Sequence, residues 1–280
     1  MAPYLTKKEA APASLTKVPR IMATSKLWTK EQVKLAFHLY CQIPFGRIYG
    51  RNPAIVALAE AIGRTPDAVA MKMLNIASLD PRVRERGLSG LGNASDLDRD
   101  VWAEFHADWD TASVEAEKLR LSLSATEQYD EAEETDLEDF TGEMRTVQKE
   151  QRLRQSVFRQ RVLSAYQSRC CMSGLSEPRL LVASHIVPWR KDKQNRLNPS
   201  NGLCLSAIHD RAFDKGLITL SDDLRIIVLE QLKRRDEAFV QAVFLPLEGS
   251  FIALPERFVP DPVFIARHRS EEFIDNRKAA

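Results

Sequence analysis

The segment from Leu180 to Gly216 constrains the fold more tightly than any other part of the chain. Two short apolar runs, Leu180–Ala183 and Leu203–Leu205, stand either side of a stretch from Arg190 to Ser200 that is too polar for a core. Apolar runs of this length read as strands. If they pair as a hairpin, the ends of the polar loop meet and His185 closes the first strand. Ser206 follows the second strand and is a good N-cap, so His209 falls in the first turn of a helix. Two imidazoles and the Asn201 side chain are then candidates to converge on one cleft. That set suits metal-assisted hydrolysis of a phosphodiester. An imidazole titrating near neutrality can deprotonate water, and a divalent ion can take up charge on the leaving oxygen.

The stretch Ala183-Ser-His-Ile-Val-Pro-Trp189, with Asn201-Gly-Leu-Cys-Leu205 and His209-Asp-Arg-Ala-Phe-Asp-Lys-Gly216, resembles the HNH endonuclease family, in its branch of restriction endonucleases. The resemblance spans roughly 151–273 and is strongest over its central part. It implies a ββα-metal core, with His185 as general base, Asn201 as the residue that holds the loop and fixes the base, and His209 as the distal metal ligand. It also implies a divalent cofactor, Mg²⁺ first and Mn²⁺, Ni²⁺ or Zn²⁺ as alternatives, and double-stranded DNA as the substrate. Many relatives have Asp or His immediately before the general base, and that residue binds the metal. Ser184 stands there in this chain, so a carboxylate is expected from elsewhere, with Asp214 and Asp210 the nearest candidates. Asp214 lies more than one helical turn beyond His209 and serves either as a ligand or as support for His209. Two other readings stay open: a DNA-binding protein with a decayed site, and a nuclease directed at RNA.

The remainder of the chain reads as α+β, a helical N-terminal module followed by the nuclease domain. Residues 1–26 are rich in Ala, Pro, Lys and Thr and read as a basic arm. Thr29, with Gln32 three residues on, has the spacing of a capping box. Pro53–Ile62 reads as a helix closed by Gly63, and Thr65 caps a third helix from Asp67 to about Ile76 with Pro66 at its first position. A fourth is expected over Val101–Trp109, which puts the helical module at 27–110. The Gly63-Arg-Thr-Pro66 junction has helix-turn-helix proportions and, with Trp28 ahead of it, is similar to Myb-like modules. On that reading Arg64, Lys72 and Asn75 reach DNA; on the other it is an ordinary helical hairpin.

Residues 125–140 hold eight acids and no base, so 111–144 reads as an acidic linker. The sign then reverses. Six bases against Glu150 occupy Arg145–Arg161, a basic helix opening the nuclease domain at 145–280. Arg152, Arg154 and Arg159, with Arg190 and Lys191 from the loop, are candidate phosphate contacts, and the acidic run is a candidate cover for that helix. The net charge is only +1, so any such field is local.

Four cysteines with no C-x-x-C pair argue against a disulfide framework or a four-cysteine zinc site, and Cys170, Cys171 and Cys204 read as small apolar residues. No apolar run reaches membrane-spanning length, which places the chain in the cytoplasm. A double-strand cut from one site per chain would call for a homodimer. Trp189 and Phe213 read as packing residues, His38 as structural, and His106 and His268 as surface or interface histidines.

Overall fold

The computed structural model describes residues 27–87, 92–123 and 142–273, with side chains from 148 onward in the last of these. The basic arm, the acidic run at 125–140 and its suggested covering role lie outside the described residues.

The helical N-terminal region follows the capping signals closely. Helix α1, Lys30–Gln42, starts at Thr29 with a complete capping box. Helix α2, Pro53–Ile62, ends on Gly63 in the left-handed region at φ +68°, a conformation glycine adopts without a Cβ penalty. Helix α3, Pro66–Ala77, begins at Thr65, and a short α4, Pro81–Glu85, follows. Ser95 caps α5, Asp96–Ala107. The chain then breaks at Asp108, and α6 runs from Trp109 to Leu123. The helix expected over 101–109 is thus the end of one helix and the start of another. The apolar residues Ala112, Val114 and Ala116 bury α6, so residues 111–123 of the expected linker are packed helix. Phe37 sits at the centre of this region, edge-on to Phe105 at 4.7 Å and tilted against Trp109 at 5.9 Å.

Helix α7, Gly142–Ala165, joins the two halves. It touches α1 and α6 on one side and lays Val157, Phe158 and Val162 into the second core on the other. The hairpin follows. Strand β1, Leu181–His185, pairs antiparallel with β2, Gly202–Ser206, so that Leu181 faces Ser206 and His185 faces Gly202. A 3-10 turn at Pro199–Asn201 leads into β2. Ser206 then caps α8, Ala207–Asp214, which packs back on both strands. The two elements make a ββα unit, and the α+β class is as expected. A second hairpin pairs β3, Ile218–Leu220, with β4, Ile226–Val228.

Two short helices that the sequence reading did not anticipate, α9 at Glu230–Lys233 and α10 at Ala238–Val243, lie beyond it. The last helix, α11 at Pro262–Glu271, packs on β3. His268 of α11 is a correction. It is 2% exposed, stacks on Phe213 at 3.6 Å, and bonds to Thr219 Oγ1 and Phe213 O. Its place is therefore the core, and not the surface.

Candidate active site

His185 ends β1 with its ring flat against Phe158 of α7, at 3.7 Å between centroids and 11° between planes. The approach is open because Gly202 lies opposite. A Cβ there would come within 2.4 Å of Val162 Cγ2 and 3.0 Å of Phe158 Cζ. Trp189 meets the imidazole edge-on at 5.4 Å and is itself covered by the Arg196 guanidinium. His185 Nε2 lies 2.9 Å from the carbonyl oxygen of Arg196. A carbonyl only accepts, so Nε2 carries the proton and the lone pair is left on Nδ1. Burial pushes the imidazole pKa down to about 4, against the opposing bond to Arg196 O. The ring is thus neutral at neutral pH, and burial makes it less basic than a free imidazole.

Asn201 is buried and closes the polar loop onto the hairpin. Its Oδ1 accepts Val187 N–H at 2.8 Å, and its Nδ2 donates to Val187 O at 3.2 Å and Asn195 O at 3.3 Å. Its hold on His185 runs through the loop, with no direct bond between the two side chains among the described contacts.

His209 occupies the first turn of α8, and its backbone N–H meets Ser206 Oγ. Its Nδ1 faces Ser206 Oγ at 3.0 Å and Cys170 Sγ at 3.5 Å. Burial alone would raise the Cys170 pKa, but hydrogen bonds from His209 and Ser173 outweigh it and bring the thiol to about 6. With Nδ1 donating to Cys170 Sγ or Ser206 Oγ, the lone pair of the neutral ring is on Nε2. That atom is buried and has no hydrogen-bond partner among the described residues. Cys170 and Ser206 together orient His209, and the Cys170 contact is one that the apolar reading of the cysteines missed. The spacing 170-x-x-173 was its only trace in the sequence.

His185 and His209 thus belong to one ββα unit, but the neighbours recorded for each ring have no residue in common. His185 sits among Phe158, Trp189 and Arg196; His209 sits among Cys170, Ser206 and Phe244. Ser184 precedes His185 on the strand and so points to the opposite face of the hairpin. Its Oγ is buried and makes no hydrogen bond of normal geometry, yet it lies close enough to Asp210 to favour that carboxylate's charged form. Asp210 and Asp214 stand one turn apart on α8. Burial raises the pKa of both, and Asp210 raises that of Asp214 further. Ser184, Asp210 and Asp214 are therefore an oxygen-rich face. Among the described residues no group of three or more His, Cys, Asp and Glu side chains closes around a single point.

The candidate DNA contacts divide. Lys72 is 7% exposed and holds both carboxylate oxygens of Asp98, at 2.8 and 3.0 Å. It is committed to the helical core and drops out as a DNA contact. Arg64 bonds Gln32 and the Leu27 carbonyl beside the Trp28 ring. Asn75 is half-buried on α3. Helix α3 packs on α1, α2 and α5, as an ordinary helical hairpin does. In the nuclease half, Arg154 pairs with Asp110 and Glu150, Arg159 bonds Leu181 O and Pro178 O, and Lys191 pairs with Glu271 and Glu272. Arg152 and Arg190 are exposed. A polar cleft of about 830 Å³ between the end of α1 and α7 is lined by Arg47, Arg159 and Gln160 among others, and by none of the residues around His185 or His209.

Residues 170–221 match a family model described as HNH endonuclease. The match covers β1, the polar loop, β2, α8 and β3, and it carries nuclease activity as its functional implication. No curated protein matches the chain.

Proposed function

We propose that the chain is a divalent-metal-dependent endonuclease that hydrolyses DNA phosphodiester bonds in a restriction-like role. The observation that carries this reading is the fixed imidazole of His185, protonated on Nε2 by its bond to Arg196 O and neutral at physiological pH. His185 Nδ1 takes the proton from the attacking water, as a general base held in one tautomer. Phe158 and Trp189 fix the plane of the ring, and Asn201 closes the loop that supplies the Arg196 carbonyl.

The donor set suits a hard divalent ion. His209 Nε2 is buried with no hydrogen-bond partner among the described residues, the Ser184 hydroxyl lies against Asp210, and burial raises the pKa of both Asp210 and Asp214, with Asp210 raising that of Asp214 further. The ion would be held by Asp210 and His209 Nε2, with Ser184 beside Asp210, since among the described residues no third His, Cys, Asp or Glu side chain closes on the same point. Such a partial set of protein ligands is typical of Mg²⁺ sites, where substrate phosphate and water complete the shell. When bound, the ion supplies charge neutralisation at the scissile phosphate and the leaving oxygen. Asp210 is the carboxylate that would stand in for the usual strand ligand beside Ser184.

Plasmid nicking in Mg²⁺, with and without chelator, tests the reading. His185→Ala is expected to lose on the order of 10²–10⁴-fold in rate with DNA affinity retained. Equal nicking by wild type and His185→Ala would remove His185 from the chemistry. Parallel DNA and RNA substrates decide between deoxyribonuclease and ribonuclease action.

A further inference from the structure

Four successive carbonyls ahead of β2 are each held by a different group. Gln194 O accepts the backbone N–H of Asp110 at 3.1 Å, and Asn195 O accepts from Asn201 Nδ2 at 3.3 Å. Arg196 O accepts from His185 Nε2 at 2.9 Å, and Leu197 O accepts from Arg161 Nη1 at 3.0 Å. The two inner contacts belong to the candidate site. The two outer ones lead to the helical N-terminal region. Asp110 lies in the first turn of α6, and Arg161, on α7, also bonds Ser113 Oγ of α6 at 2.6 Å and His38 Nδ1 of α1 at 3.2 Å.

Arg161 is fully buried, and its Nε has no hydrogen-bond partner among the described residues. A buried cation with an orphaned donor costs stability relative to an apolar side chain of similar volume, so packing does not account for it. What a guanidinium does here that an alkyl chain cannot is hold three acceptors on three elements at fixed angles. Because Arg161 only donates, His38 Nδ1 must accept, and His38 Nε2 donates to Glu117 at 2.7 Å. Glu117 is held in turn by Arg120. The chain of bonds Glu117–His38–Arg161–Leu197 O thus ends one peptide from the carbonyl that orients His185.

We propose that Arg161 is a positioning residue for the nuclease site: it clamps the 194–197 segment so that Arg196 O faces His185 Nε2, which makes the helical N-terminal region part of the catalytic apparatus. The proposal rests on the reading of His185 as the base.

The test uses the full chain, with Arg161→Lys and Arg161→Met. Arg161→Lys keeps the charge but cannot reach three acceptors, and it decides the matter if Arg161→Met does not fold. Ile55→Val, in the helical core away from the loop, lowers stability without touching the clamp and serves as the comparison. Long-range ¹H–¹⁵N spectra report the tautomer of the His185 ring, and steady-state cleavage separates kcat from KM. In Arg161→Lys the ring is expected to leave the pure Nε2–H form, and kcat is expected to fall about 10-fold, the equivalent of one lost hydrogen bond, with KM unchanged. Ile55→Val is expected to keep the wild-type tautomer and kcat. A folded Arg161 variant with the wild-type tautomer overturns the proposal, as does an equal loss of kcat in Ile55→Val at matched stability. If His185→Ala cleaves like wild type, the catalytic reading fails, while the tautomer still decides whether Arg161 positions the ring.

Discussion

At the scale of single residues, the site is decided by which atoms are already spoken for. His209 has one nitrogen occupied by Ser206 and Cys170 and the other buried with no hydrogen-bond partner among the described residues, and Asp210 turns its carboxylate toward Ser184. Affinity for a hard cation follows the number of charged oxygen ligands. Asp210→Asn is therefore expected to weaken Mg²⁺ binding by on the order of tenfold, measured by titration calorimetry on the folded protein. Unchanged affinity in that variant would move the oxygen ligand elsewhere. Lys72 illustrates the opposite case, a residue removed from function by its neighbour. Lys72→Ala leaves the buried Asp98 carboxylate with the Ser95 N–H but without its cation, which costs up to about 3–5 kcal/mol, and leaves DNA affinity of the remaining folded protein unchanged. A salt-dependent drop in DNA binding would return Lys72 to the interface.

At the scale of elements, the ββα unit works because small residues sit where elements cross. β1 and β2 meet α7 through Gly202, and the absence of a side chain there lets Phe158 lie flat on His185. Gly202→Ala forces a Cβ against Val162 and Phe158. It is expected to cost about 1–3 kcal/mol, as overpacking does, in urea unfolding. It should also slow nicking, because Phe158 can yield only by leaving the imidazole. Wild-type stability in that variant would mean that α7 is free to shift away from the hairpin. The register adds a second constraint. His185 pairs with Gly202, and a slip of one residue would exchange the face carrying His185 with the face carrying Ser184.

At the scale of the molecule, the helical region and the nuclease region share a polar seam. Arg161 and Arg257 are both fully buried within it. Arg257 crosses from the C-terminal segment to the Cys41 and Ile43 carbonyls of the helical region and to Ser164 of α7. Glu117 belongs to the same seam. Burial would raise its pKa, but the bonds from His38 and Arg120 outweigh that and pull it from 4.5 to about 2. A carboxylate depressed in the folded state contributes stability that is complete above its unfolded value and is lost as the pH falls from about 4.5 toward 2. Glu117→Gln is accordingly expected to lower Tm at neutral pH, and the gap to wild type should close across that acid window. A gap that stays constant down to pH 2 would mean that Glu117 gains nothing from its partners.

Local chemistry was enough to read the helix starts at Thr29, Thr65 and Ser206, the stop at Gly63 and the pairing of the two apolar runs, because caps and alternation act within a few residues. The spacing of His185, Asn201 and His209 was legible for the same reason, since one hairpin and one helical turn carry all three. Contacts between distant segments were not. The commitment of Lys72 to Asp98, the Cys170 contact that helps orient His209, the stack of Phe158 on His185 and the clamp of Arg161 on Leu197 join residues 26 to 39 positions apart. No periodicity encodes such pairings; they exist only once α7 has packed between the two cores and burial has left each polar atom a single place to find its partner.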